Sequence, residues 1–258
     1  MMRRGRIGVM LGLLAGGICA GLAEAQTDSF RLGEGGGWQS SESETELPLL
    51  IRDARKLLAD NRGRDAYVIL DVAMEDGTVP SGYEAQALLL RGDALLMMDR
   101  EYKALYDYEE LISEFPRSPE FRIAIEREYE IAQLYLYGLR RRFFGMRIIG
   151  SEDVGIELLI RVQERLPGSQ LAEIANVVLA DYYFDQREIR LASDTYEVYL
   201  ENFPNGQFRQ HAMKRVIYAD LARFKGPRYD SSVLIDAYVQ ALEFSEVFPA
   251  EAAEVRLD

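Results

Sequence analysis

The chain has 258 residues, with 30 lysines and arginines against 43 aspartates and glutamates, for a formal charge of −13. Without residues 1–25, which carry three arginines and one glutamate, the charge becomes −15, and a surface this acidic repels nucleic acid and anionic headgroups. His211 is the only histidine and Cys19 the only cysteine, too few nitrogen and sulfur ligands for a zinc site.

At the start of the chain, Arg3, Arg4 and Arg6 precede an apolar run from Ile7 to Leu22, and Ala23, Glu24 and Ala25 supply the small residues a signal peptidase needs. Residues 1–25 are therefore expected to be a signal peptide, cleaved after Ala25. The run is glycine-rich and shorter than the roughly 20 apolar residues of a membrane span. Cys19 is a poor lipidation site, because Gly16 and Ile18 stand where a large aliphatic and a small residue are needed. Cleavage after Ala25 would also remove it.

Residues 26–46 are rich in Gly, Ser and Glu without periodicity, and the expectation is a flexible linker. Gly33 to Gly37 is not a phosphate loop, since no Gly-Lys-Ser/Thr follows. Trp38, the only tryptophan, either docks on a neighbouring surface or is an exposed ring.

From residue 47 to 250 the pattern is helical and repeats. Leu179, Ala180 and Tyr183, then Ala192, Tyr196 and Tyr199, then Pro204 describe two amphipathic helices and a stop. A small residue on each helix allows a close approach of the two axes. This is the tetratricopeptide pattern, of period about 34 residues. Gly92, Leu95, Ala104, Tyr108, Leu111 and Pro116 repeat it, and Leu50, Ala54, Leu57, Ala66, Leu70 and Ala73 do so more weakly. Ile131, Ala132 and Tyr135 with Gly155, Leu159, Val162 and Pro167 form another copy. Tyr218 and Ala219 with Ala237, Ala241, Phe244 and Pro249 form the last. In these two copies, extra residues around 140–150 and 225–230 separate the helices. The expected fold class is all-α, a tetratricopeptide-repeat superhelix of about five helix pairs over 47–250, with a C-terminal tail at 251–258.

No catalytic constellation emerges. There is no G-x-S-x-G elbow to pair with His211, and the carboxylates Asp107, Glu109 and Glu110 are read as a solvated helix face. No enzyme activity, cofactor or metal is expected. In a repeat superhelix the first helix of each pair lines the inner surface, and positions set by the small residue point into the groove. These are Leu89, Asp93, Leu96 and Met97; Tyr129, Gln133, Leu136 and Tyr137; Val177, Asp181, Phe184 and Asp185; and Asp220 and Arg223. The mixture of apolar area and a few polar groups suits a peptide-binding groove, and it equally suits contacts with the next repeat. Tyr108, Tyr135, Tyr183 and Tyr196 fall on the inter-helix face and are expected in the core. Arg140, Arg141 and Arg142 beside Phe143 and Phe144 form either a partner-docking loop or a cover for the end of the core.

The phrases Glu-Phe-Pro-Arg-Ser-Pro at 114 to 119, Glu-Asn-Phe-Pro-Asn-Gly at 201 to 206 and Arg-Phe-Lys-Gly-Pro-Arg-Tyr-Asp at 223 to 230, with the repeats and the leader, resemble the BamD family. Those are outer-membrane lipoproteins of the β-barrel assembly machinery with five tetratricopeptide repeats. The resemblance implies an exported, non-catalytic scaffold in the periplasm at the inner face of the outer membrane. Its partners would be barrel-assembly subunits and unfolded outer-membrane protein segments, with membrane association through those partners. The family's lipid-modified cysteine has no match at Cys19. A general periplasmic repeat adaptor in division or secretion shares the fold and is the alternative.

Overall fold

Four of the helix pairs stop in the same way. Their second helices end at Glu114, Arg165, Asn202 and Val247, and a proline stands two residues later in each case, at 116, 167, 204 and 249. Proline lacks the N–H that would extend the ladder and biases the preceding residue away from helical geometry. That preceding residue is Phe115, Leu166, Phe203 or Phe248, and each packs its half-buried side chain against the core of its own repeat.

The computed structural model describes residues 30–32, 38–40, 47–138, 141–143, 146–149, 151–224, 226 and 232–251. The chain divides into two compact units, 1–47 and 48–258. In the first, β1 (Phe30–Leu32) pairs antiparallel with β2 (Trp38–Ser40), Leu32 opposite Trp38. The other residues of 26–46, expected as a flexible linker, lie outside the described residues. Alternating side chains over three residues were too short a signal to separate from a glycine-rich tether.

The second unit is the repeat array. Its helices are α1 (Leu49–Ala59) with α2 (Gly63–Glu75), α3 (Glu84–Met97) with α4 (Glu101–Glu114), and α5 (Glu120–Leu136) with α6 (Glu152–Arg165). The last two pairs are α7 (Gln170–Asp185) with α8 (Ile189–Asn202), and α9 (Arg209–Arg223) with α10 (Ser232–Val247). Every helix packs on the next in sequence, and α1 also touches α3, α3 touches α5 and α5 touches α7. The first helices α1, α3, α5 and α7 therefore lie closer together than the second helices do, on the inside of the curve. The fold is the all-α tetratricopeptide superhelix of five helix pairs expected from the repeat pattern. Among the described residues no helix is long and apolar enough to cross a membrane.

Tight axes explain the small residues. A Cβ on Gly92 would lie 2.4 Å from the Tyr108 ring, and one on Gly155 would meet the Ala132 carbonyl at 2.9 Å. Ala180 and Ala192 are both fully buried in one cluster with Tyr196 and Tyr199. Three of the first helices end in one kind of turn. Asn61, Asp99 and Arg187 have positive φ, and the next residue's N–H donates back to a carbonyl five residues earlier, as Arg100 does to Leu95 and Glu188 to Tyr183. This is the Schellman closure, which satisfies carbonyls the helix leaves open. Ser169 caps α7, its Oγ accepting from the Ala172 N–H at 3.1 Å.

The insertion between α5 and α6 is a strand pair rather than a loop. β3 (Arg141–Phe143) runs antiparallel to β4 (Met146–Ile149), Phe143 opposite Met146, with a register irregularity between Arg141 and Arg142. Arg140 and Phe144 lie outside the described residues.

Candidate functional site

The inner face is built from α3, α5, α7 and α9, and its polar side chains are organised by two clasps of the same design. Asp93 on α3 accepts a hydrogen bond from the Tyr108 phenol of α4 at 2.9 Å and another from Arg127 Nε of α5 at 2.9 Å. Asp181 on α7 accepts from the Tyr196 phenol of α8 and from His211 Nε2 of α9 at 2.8 Å, with Arg215 Nε 4.0 Å away. In both clasps the tyrosine is 15 residues after the aspartate, and the arginine is 34 after it. A carboxylate on one first helix thus ties its own second helix to the first helix of the next repeat.

Burial raises the pKa of both phenols, and the adjoining Asp93 and Asp181 raise them further, so both stay protonated and keep donating. For Asp181 burial pushes the carboxyl up, but the His211 and Tyr196 hydrogen bonds and the nearby Arg215 outweigh it and hold the pKa below its ordinary value. Arg215 also covers the Phe184 ring at 4.3 Å from its centroid, a cation–π contact. Arg127 reaches Glu130 as well, at 3.1 Å.

The residues expected in the groove therefore divide. Leu89, Leu136 and Val177 are buried in the core, and Leu96 is half-buried against it. They are packing residues, because neighbouring helices approach closely enough to cover them. Asp93 and Asp181 are committed to the clasps. Asp220 is buried, accepting from Ser193 Oγ of α8 at 3.2 Å and from Arg223 at 3.1 Å, and lines no groove. On α5, Tyr129 and Gln133 are half-buried, and Tyr137, the residue that caps the helix C-terminus, is 65% exposed; the three follow at intervals of four residues along a single stripe. An open depression beside Tyr137 is walled by Glu130, Gln133 and Leu134. The α5 and α7 helices touch, and burial raises the Tyr137 phenol pKa, with Asp181 and Asp185 raising it further. Asp185 is exposed near Tyr137, while Phe184 is half-buried, packed against the Val177 and Ala180 cluster and covered by Arg215.

Several polar groups have roles that periodicity did not reveal. Asp107 is buried rather than solvated, held bidentately by Arg91 at 2.7 and 3.0 Å, and Arg91 also reaches Asp71 of α2 at 3.2 Å. Glu109 accepts from both Arg161 and Arg165, and Arg165 also donates to the fully buried Glu128. The clasp arginines could have been found from the sequence, since Arg127 and Arg215 each follow an aspartate next to a small helix residue by one repeat period.

No family model matches this chain, and no curated protein is similar to it. Among solved structures it is similar to the MamA RS-1 ArsTM double mutant, at 11% identity over 77% of this chain and 94% of that one, with a TM-score of 0.40. It is also similar to nearly identical TPR-like repeats described as kinesin light chain from Podosopora anserina, at 14% identity over 76% and 95%, with a TM-score of 0.39. Neither likeness bears on function.

Proposed function

We propose that the inner face binds extended polypeptide segments, and that the chain is an exported scaffold for outer-membrane β-barrel assembly of the kind the BamD resemblance implies. The observation that carries the peptide-binding reading is Tyr137, a large ring left 65% exposed at the C-terminal end of α5. Tyr129 extends its apolar surface, half-buried Phe184 of α7 is proposed to add to it, and Gln133 and Asp185 would supply acceptors for a peptide's backbone N–H groups. Strands of barrel proteins alternate apolar and polar residues and end in aromatic girdles. Each ring they bury would contribute about 1.5–3 kcal/mol before ordering costs. The acidic surface disfavours acidic peptides.

The strand pair at 141–149 is proposed to dock a second protein through Arg140, Arg141, Arg142, Phe143 and Phe144, since arginine and aromatic residues anchor interfaces. Export through residues 1–25 would place the scaffold in the periplasm, held at the outer membrane by barrel-assembly subunits.

The test is a photo-crosslinking amino acid at position 137, with a control at Val198, an exposed position on α8. Adducts with outer-membrane barrel proteins from position 137 and not from 198 are expected. Equal adducts from both positions would remove the groove reading. Adducts dominated by division or secretion proteins would replace the assembly reading with the adaptor one.

A further inference from the structure

The outer face of α10 is apolar where that of α8 is polar. Ile235, Tyr238, Val239 and Leu242 share one face at helical spacing, each between 48% and 63% exposed, while Ala237 and Phe244 on the opposite side are fully buried. Counted from the small residue and from the closing proline, the same places on α8 hold Arg190, Ser193, Asp194 and Glu197. Tyr238 directly follows its small residue, Ala237. In the four preceding second helices that position is Tyr67, Leu105, Ile156 or Ser193, and each of these is buried or half-buried. The first helix of the next pair packs there, as when Ser193 Oγ reaches Asp220 of α9. α10 packs on α9, and no described helix follows it. Its large apolar side chains therefore stand where one more helix of a stacked array would pack, and exposed apolar surface of this kind marks an interaction site.

We infer that this face receives an amphipathic helix of a partner protein whose apolar stripe is flanked by lysines or arginines. The charge on α10 selects that partner. The helix carries three carboxylates, Asp236, Glu243 and Glu246, all exposed, and no lysine or arginine. Asp236 and Glu243 run along one edge of the apolar stripe, and Glu246 stands one turn beyond Leu242. Burial of Ile235, Tyr238, Val239 and Leu242 drives the contact, and the carboxylates along one edge choose a basic flank and fix which way the partner helix lies. A second copy of this chain fits less well, because a two-fold pairing sets the same carboxylates on both sides of the contact in a chain of formal charge −13. Anionic headgroups meet the same repulsion. The face belongs to a second helix, apart from the first helices of the inner face, so the inference goes beyond the peptide-binding proposal and does not rest on it.

Calorimetric titration of the full chain with a capped synthetic helix tests this. The probe carries leucines at helical spacing and lysines along one flank, and a reference peptide has glutamates in place of the lysines. The lysine peptide should bind one-to-one and the glutamate peptide should not bind. Tyr238→Ala combined with Leu242→Ala should weaken binding by about tenfold or more. Asp236→Asn combined with Glu243→Gln should weaken it by about threefold or more and flatten its salt dependence. All four positions are exposed, so both variants are expected to fold, with circular dichroism as the check. Tyr137→Ala combined with Phe184→Ala should bind the lysine peptide as the wild type does, which keeps this outcome separate from that of the inner face. No binding to the wild type, or equal affinity in the wild type and the Tyr238 and Leu242 variant, would overturn the inference, since the latter is general attraction to an acidic surface. Two other results would overturn it by giving the face another occupant: a dimer in sedimentation that Leu242→Glu dissolves, or binding to phosphatidylglycerol vesicles that Leu242→Glu abolishes.

Discussion

Tyr196 donates its phenol O–H to Asp181 from the opposite helix of the same repeat, 15 residues later in the chain. The carboxylate it reaches also holds His211 of the following repeat, so one residue transmits the register of a helix pair to its neighbour. Hydrogen bonds to charged groups contribute about 1.5–3 kcal/mol. Tyr196→Phe should therefore lower stability by about that much in urea denaturation, and Tyr108→Phe should do the same at the Asp93 clasp. A loss below about 0.5 kcal/mol in both would mean that the clasps are surface decoration.

Gly92→Ala sets two effects against each other. Alanine improves helix propensity by about 1 kcal/mol, but its Cβ would sit 2.4 Å from the fully buried Tyr108 ring. Overpacking costs about 1–3 kcal/mol, so net destabilisation is expected, and Ala180→Leu and Ala192→Leu should follow for the same reason. The thermal midpoint is the readout. A midpoint raised by Gly92→Ala would show that α3 and α4 can move apart without penalty.

Glu128 gives the array a pH dependence. Its carboxyl is pushed up to about 8, first by burial and then by Glu109, against the pull of Arg165. In the unfolded chain a glutamate titrates near pH 4.3. Between about pH 4.3 and 8 the folded state holds a proton that the unfolded state has released, so this group lowers stability progressively as pH rises through that window. Glu128→Gln should remove its share of the decline. The stability difference between pH 5 and pH 8, measured in urea, should shrink by at least about 1 kcal/mol in the variant. An equal pH response in both proteins would show that Arg165 keeps Glu128 ionised throughout.

The proposed export makes a prediction about the N-terminus. Mass spectrometry of the protein from its native envelope should find Gln26 as the first residue, and Cys19→Ala should localise as the wild type does. A diacylated peptide beginning at Cys19 would instead make the chain a lipoprotein.

The helix pairs are legible in the sequence because each depends on local chemistry. Prolines 116, 167, 204 and 249 stop second helices, Gly92 and Ala180 mark close approaches, and Tyr108, Tyr135 and Tyr196 recur on the buried face. The polar network is much less legible. Glu128 and Asp107 look in sequence like any carboxylate on an amphipathic helix. They are buried because Arg165 and Arg91 reach them from helices 37 and 16 residues away, and helical periodicity holds no record of such distances. The inner stripe is intermediate. Tyr129, Gln133 and Tyr137 follow from their spacing, whereas the burial of Leu89 depends on how closely the next helix packs. The short strands at 30–40 and 141–149 were illegible, since three or four residues cannot display an alternation.

Peptide binding at the inner face is the central claim, and a double substitution on that face addresses it directly. Fluorescent peptides copied from barrel strands are titrated against wild type and against Tyr137→Ala combined with Phe184→Ala, with circular dichroism confirming that the helices persist. Loss of two buried rings should weaken binding by about tenfold or more in a folded variant. Equal affinities in the two folded proteins would contradict the account and make the inner face a packing surface.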